Sequence, residues 1–153
     1  MANTMGLTKD ELLKLTRQTS EAYGLDFALV AAVVEQESSW NPWALRFEPA
    51  FYERYMKGIT TISDTERHSR AFSWGLMQTM GQVCREFGFK GEFLSMLSDP
   101  TAGLDIGCRI LKSKLASHPS SVESGLLSWN GGGSPDYGKQ VLARVPNYSQ
   151  LSA

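Results

Sequence analysis

Cysteine is scarce in this chain of 153 residues: there are two, Cys84 and Cys108. They lie far apart in sequence and read as two buried thiols rather than a disulfide. Histidine is equally scarce, with two copies, and no Cys/His spacing fits a zinc site. No metal and no other cofactor is expected. An excess of one charge is also missing. Fifteen Lys+Arg stand against 16 Asp+Glu, a net charge of −1, whereas nucleic-acid domains usually carry a basic face. No nucleic-acid partner is expected. The longest apolar run, Phe27 to Val34, is far short of the roughly 20 residues a bilayer span takes. Membrane insertion is not expected. The opening MANTMGLTKDELL has no basic start leading into an apolar core, so no secretory signal is expected there. Repeats and low-complexity tracts are absent too, which excludes solenoids.

What is present is ordinary globular material, 42% hydrophobic and 20% charged. A chain of this length buries roughly 70% of its unfolded surface and needs no staple to fold. One domain over residues 1–153 is expected, acting as a monomer.

The hydrophobic spacing is helical almost throughout. Thr8 and Glu11 form a capping-box pair, with Leu7 and Leu12 as its staple. The first helix then runs to Tyr23 and stops at Gly24. Asp26 opens a second, apolar enough to be a core helix, which ends near Trp40 before Pro42. Pro49 starts a short helix from Ala50 to Lys57. Trp74 to Phe87 reads as a helix, with Met77, Met80, Val83, Cys84 and Phe87 at helical spacing. Asp99-Pro100 opens a long helix to Ser117. Ser120 and Glu123 cap another that ends at Gly131 to Gly133, and Ser134 to Asp136 start the last. The fold class is all-α, becoming α+β only if a small hairpin forms near residues 59–73.

Glu35-Gln36-Glu37-Ser38-Ser39-Trp40 ends the core helix with two carboxylates. Residues two apart on a helix point about 200° away from each other, so at most one faces a cleft. Glu37 is the better candidate. It lies in the last turn, where the helix dipole disfavours ionisation, and Trp40 and Trp43 supply apolar surroundings. A carboxyl kept protonated near neutral pH is what a general acid for glycoside cleavage requires. Ser73-Trp74-Gly75-Leu76-Met77-Gln78 then sets a glycine, which permits close backbone approach, beside an amide that both donates and accepts. Ser128-Trp129-Asn130-Gly131-Gly132-Gly133 ends a helix with an aromatic, an amide and a glycine turn. No strand precedes it, so it is no phosphate loop.

Taken in order, Glu37-Ser38, Gly75-Leu76-Met77-Gln78 and Asn130-Gly131 resemble the motifs of the lytic transglycosylases, in the group of soluble lytic transglycosylases and goose-type lysozymes. The resemblance covers roughly residues 20–150. It implies a lysozyme-like α fold with a groove for glycan strands of peptidoglycan, cleaved between N-acetylmuramic acid and N-acetylglucosamine. Glu37 would act as acid and then base, and the muramic 6-hydroxyl would close onto the anomeric carbon. Ser38 and Gln78 would hold the acid and the substrate, and Gly75 would let the backbone approach it. Met77 would line a subsite, and Asn130 would position the intermediate.

The chain departs from that pattern in three places. Ser128 and Trp129 stand where the family has Ala and Tyr. Trp129 offers only an indole N–H to the acid, and Tyr137 or Tyr148 remains as a source of a hydroxyl. A long insertion carries Phe47-Glu48-Pro49 and Phe51-Tyr52-Glu53-Arg54-Tyr55, similar to segments of some phage-type muramidases and a candidate groove wall. Asp64 and Glu66 lie in the same insertion. An Asp64 in the cleft, its carboxyl about 6.5–9.5 Å from that of Glu37, would suit a water-activating base and a hydrolase. Asp64 and His68 share a helix face, but two ligands do not make a metal site. Alternatives to the transglycosylase are therefore a goose-type hydrolase and an idle glycan-binding module. The expected place of action is the bacterial cell wall, reached as a phage endolysin released from the host cytoplasm or as a virion-borne enzyme.

Overall fold

The computed structural model describes residues 6–152. Thr8 caps helix α1 (Lys9–Ala22): its hydroxyl accepts from the Glu11 amide at 3.3 Å, and Glu11 Oε2 accepts from the Thr8 amide at 2.7 Å. Asp26 caps α2 (Phe27–Ser38) by accepting from the Ala28 amide at 3.0 Å. Every residue from Phe27 to Val34 is buried. The reason is that α2 is enclosed by α1, α8 (Tyr137–Arg144) and α9 (Pro146–Ser149). Asp99 caps the long helix α6 (Pro100–Ala116), which packs on α1 and on α7 (Val122–Trp129). Ser121, one residue after the expected Ser120, caps α7.

The insertion holds β1 (Leu45–Phe47), α3 (Pro49–Phe51) and a π-helical turn, Tyr52–Met56, closed by the Lys57 amide on the Tyr52 carbonyl at 2.9 Å. It also holds α4 (Asp64–Ser69). The helix expected over Trp74 to Phe87 is corrected. Trp74 ends strand β2 (Phe72–Trp74), a turn follows, β3 is Thr79–Met80, and only Gly81–Glu86 is helical, as α5. Gly75 at φ +67° and Gln78 at φ +49° break any helix there. A Cβ on Gly75 would come 2.6 Å from the Leu97 carbonyl oxygen, so this turn needs glycine for packing against the chain itself.

Near residues 59–73, where a small hairpin would make the class α+β, the chain does form strands. The sheet is three-stranded and antiparallel, in the order β1-β2-β3, with Leu45 opposite Trp74 and Ser73 opposite Met80. β1 precedes that stretch, β2 begins at its end, and α4 occupies the middle. The chain is otherwise mostly helical, as read.

Two hydrophobic cores result. One surrounds α2 and includes Met77, Leu104, Leu111 and Leu126. The other lies under the sheet and includes Trp74, Leu94, Leu97, Ile106 and Ile110. Trp129 packs against both. Both cysteines are buried and unpaired. Burial pushes the Cys84 thiol up to about 11 and that of Cys108 up to about 12, so both stay protonated and inert.

Candidate active site

A cavity of about 700 Å³ opens where the two cores meet, with Glu37 of α2 in its wall. Two donors converge on one oxygen of that carboxyl. Tyr137 Oη donates to Glu37 Oε1 at 2.6 Å, and Trp129 Nε1 donates to the same atom at 3.2 Å. Among the described residues Oε2 has no hydrogen-bond partner, and it is left for the cavity side. Burial raises the Glu37 pKa above its ordinary value. The Tyr137 and Trp129 bonds and the nearby Arg46 charge oppose that rise without cancelling it. Burial, then the Glu37 charge, keeps the Tyr137 hydroxyl protonated far above neutral pH, so it remains a donor. The result is a carboxyl whose protonated form is favoured relative to a free glutamate, held by Oε1 and with Oε2 on the cavity side.

The backbone around the acid is strained. Ser39 and Trp40 follow α2 at φ +51° and +66°, a conformation that costs free energy at residues with a Cβ. Trp40 is held there by burial and by donating Nε1 to the Tyr148 hydroxyl at 2.9 Å. Of the two tyrosines open to the role in sequence, Tyr137 therefore serves Glu37 and Tyr148 serves Trp40.

Glu35 points the other way, toward Arg144 on α8 at 3.7 Å, as the helix spacing required. The side chains between α2 and α8 form a chain of bonds. Arg144 Nε donates to Gln36 Oε1 at 2.8 Å, and Gln36 Nε2 donates to Gln140 Oε1 at 3.1 Å. This latch fixes the helix that carries Tyr137.

Gln78, Trp129 and Asn130 line the cavity with Glu37. Gln78 spends both amide donors on the backbone, reaching Ala44 O at 2.9 Å and Gly75 O at 3.0 Å. Its carbonyl is thereby oriented and left to accept. Asn130 ends α7. The glycine turn after it is fixed by the Gly132 amide on Leu127 O and the Gly131 amide on Ser128 O, at 3.1 and 3.2 Å.

Three expected contacts fall elsewhere. Ser38 lies behind the acid, donating to Leu76 O at 2.8 Å, and so ties α2 to the turn rather than touching the cavity. Met77 is 1% exposed and packs on Gly107 of α6, in the core and not on a subsite wall. Gly75 packs against Leu97 and Pro42. Asp64 lies outside the cavity, 84% exposed and paired with Arg67 on its own helix. Glu66 is bound by Arg70 and Arg85 at 2.9 and 2.7 Å.

Polar or charged cavity residues that escaped attention in the sequence as chemistry include Ser73, Glu48, Arg46 and Lys114. Ser73, buried on β2, lines the wall, as does Glu48 just beyond β1. The Glu48 amide donates to Ala71 O at 2.9 Å, and its carboxylate pairs with Arg46 at 3.1 Å. Glu48 stands at a helix start but makes no capping bond, which was the only local signal that its side chain has another use. Among the described residues no group of three or more His, Cys, Asp or Glu side chains is placed to hold a metal ion. No helix of the described residues is long and apolar enough to cross a membrane.

The family profile of the transglycosylase SLT domain matches residues 14–144. Membrane-bound lytic murein transglycosylase C of Pectobacterium atrosepticum is 28% identical over 118 residues, covering 73% of this chain and 27% of that protein. The protein of the same name from Edwardsiella ictaluri is 30% identical over 105 residues, 65% of this chain and 23% of the relative. That of Mannheimia succiniciproducens is 36% identical over 50 residues, 33% of this chain and 14% of its own length. The chain thus spans 14% to 27% of these relatives. No solved structure matches it.

Proposed function

The chain belongs to the transglycosylase SLT domain family, and from that membership we propose that it is a peptidoglycan lytic transglycosylase with Glu37 as its single acid and base. The observation that carries the reading is the convergence of Tyr137 and Trp129 on one oxygen of a carboxyl in a cavity wall whose pKa burial raises. Glu37 Oε2 gives its proton to the glycosidic oxygen between N-acetylmuramic acid and N-acetylglucosamine, and the bond from that oxygen to the muramic C1 breaks. The muramic N-acetyl oxygen shields the cationic carbon. The carboxylate now on Glu37 is held by the same two donors. It takes the proton of the muramic 6-hydroxyl, and O6 bonds to C1. The product is a 1,6-anhydro sugar, the acid is regenerated and no water is consumed.

The other lining groups support the same reading. Gln78 offers an oriented acceptor to a sugar hydroxyl or N-acetyl N–H, and the indole of Trp129 offers a flat face to a ring. The reading includes action as a monomer. A near-zero net charge favours a glycan over a nucleic acid. Action at the bacterial cell wall follows from the substrate. Delivery as a bacteriophage endolysin or virion enzyme belongs to this proposal as well. One observation favours a second reading: Glu48 shares the cavity and would be the water-activating base of a hydrolase.

Mass spectrometry of products released from purified peptidoglycan decides between them. Ends of 1,6-anhydro-muramic acid are one water, about 18 mass units, lighter than reducing ends formed by hydrolysis. Anhydro ends are expected. Reducing ends alone would replace the transglycosylase with the hydrolase.

A further inference from the structure

Four charged side chains line the cavity: Glu37, Arg46, Glu48 and Lys114. Three have their chemistry explained. Glu37 is the buried acid, and Arg46 and Glu48 pair with each other at 3.1 Å. Lys114 has no ion-pair partner and no side-chain hydrogen bond among the described residues. It is half-buried on α6, one helical turn beyond Ile110, and these two residues present one face of the helix to the cavity. The other basic residues of that helix point away: Arg109 is exposed and pairs with Asp105 at 3.5 Å, and Lys112 is exposed. Lys114 is thus the one cation of α6 turned into the groove.

We propose that Lys114 is a specificity-determining residue that binds a carboxylate on the muramic-acid substituent of the glycan. The proposal rests on the peptidoglycan reading above. Sugar rings of the strand are neutral, so the only anions it brings to a groove are carboxylates: that of a free lactyl group, or those of a peptide stem attached to it. A neutral glycan seated on the same wall would strip water from the ammonium and return only uncharged hydroxyl or carbonyl acceptors. A carboxylate converts that penalty into a charge-assisted hydrogen bond. The groove thereby prefers muramic-acid strands to uncharged amino-sugar polymers of the same backbone. An ammonium in the last turn of α6 also suits the helix dipole. That role alone would affect stability and leave ligand choice unchanged, so the two are separable.

The test uses Glu37→Gln protein, so that binding is read without cleavage, with Lys114 intact, Lys114→Met or Lys114→Arg. Calorimetry at low fixed salt gives Kd for peptide-bearing strands, for strands stripped to free lactyl groups, and for both after their carboxyls are converted to amides. Lys114→Met is expected to weaken binding about 5- to 10-fold on carboxylate-bearing strands. Lys114→Arg should recover most of that loss, and on amidated strands all three proteins should bind alike. A loss confined to stripped strands assigns the lactyl carboxylate, and one confined to peptide-bearing strands assigns the stem. Equal Kd values on native strands, or an equal loss on amidated ones, overturn the proposal. Thermal melts of the three proteins identify a loss that reflects folding only. Cleavage by the protein with Glu37 intact is scored separately. Absence of product with the Kd pattern preserved removes the catalytic reading and leaves the subsite standing. Normal product with carboxylate-blind binding removes the subsite alone.

Discussion

The Tyr137 hydroxyl lies 2.6 Å from Glu37 Oε1, across 100 residues of sequence. It supplies what Trp129 lacks, a short O–H donor to the acid, while the indole adds a longer bond to the same atom. The acid is therefore held by two elements, α7 and α8, that pack on each other. On the proposed route both donors would stabilise the carboxylate formed after proton donation, so each would contribute to the step that creates it.

Tyr137→Phe removes one of them. The Tyr137 bond lowers the Glu37 pKa, so its loss lets burial raise that pKa further. The alkaline limb of the pH–rate profile is expected to move to higher pH, because the acid stays protonated longer. The rate at the optimum should fall about tenfold, the size of one charge-assisted hydrogen bond. A profile superimposable on wild type would show that the bond has no part in the chemistry.

Glu37→Gln should lose activity by about 10²–10⁴, the usual contribution of a general acid, yet gain stability at neutral pH. An acid whose folded pKa is raised favours folding fully only below its unfolded value, near 4.5, and that contribution is lost as pH rises through the folded value. Above this window the wild-type fold holds a carboxylate that it solvates poorly. The variant carries no such charge. Its melting temperature is expected to exceed wild type at about pH 8, with the gap closing as the pH falls toward 4.5. A gap that widens toward acid would contradict the raised pKa.

The place of Glu37 in a cavity wall was legible because its signals are local: a helix end, a carboxylate and tryptophans close by in sequence. The same holds for α1, α2 and α6, whose caps and periodicity are written in adjacent residues. Residues 74–87 were not legible. Met77, Met80 and Val83 keep helical spacing, but the pairing of β2 with β1 and the left-handed Gly75 and Gln78 override it. Which motif residues face the cavity was hidden for the same reason. Met77 and Gln78 are neighbours, and only the turn they occupy sends one to the core and the other to the groove. Asp64 and Glu48 both stood in the insertion. The amide of Glu48 on Ala71 O, a contact between distant residues, fixes the backbone at Glu48, which lines the cavity, whereas Asp64 lies on α4 outside it.

Gly107→Ala tests the placement of Met77. A Cβ at position 107 would lie 3.1 Å from Met77 Cβ and run into its sulfur. Alanine favours a helix over glycine by up to about 1 kcal/mol, but overpacking costs about 1–3 kcal/mol. Net destabilisation is expected, a drop of roughly 2–8 °C in Tm. Activity per folded molecule should stay near wild type, because Met77 does not reach the cavity. Met77→Leu, which nearly conserves volume, should be tolerated in both respects. A large loss of kcat in well-folded Met77→Leu would return this residue to the substrate.

Asp64→Asn and Glu48→Gln separate the two carboxylates of the insertion. A water activated at Asp64 would sit in bulk solvent, since that side chain is 84% exposed and lies outside the cavity. Asp64→Asn should leave both rate and products unchanged. Glu48 lines the cavity, but Arg46 engages its carboxylate at 3.1 Å, and the transglycosylase route needs no second base. Glu48→Gln weakens that ion pair at the cavity lip. The rate is expected to fall less than about tenfold, as for a partly exposed pair, with the products still ending in 1,6-anhydro-muramic acid. A mixture is the informative alternative. If wild type releases some reducing ends and Glu48→Gln releases none, Glu48 activates water beside Glu37. The balance between the two nucleophiles is then set by one carboxylate on the edge of β1.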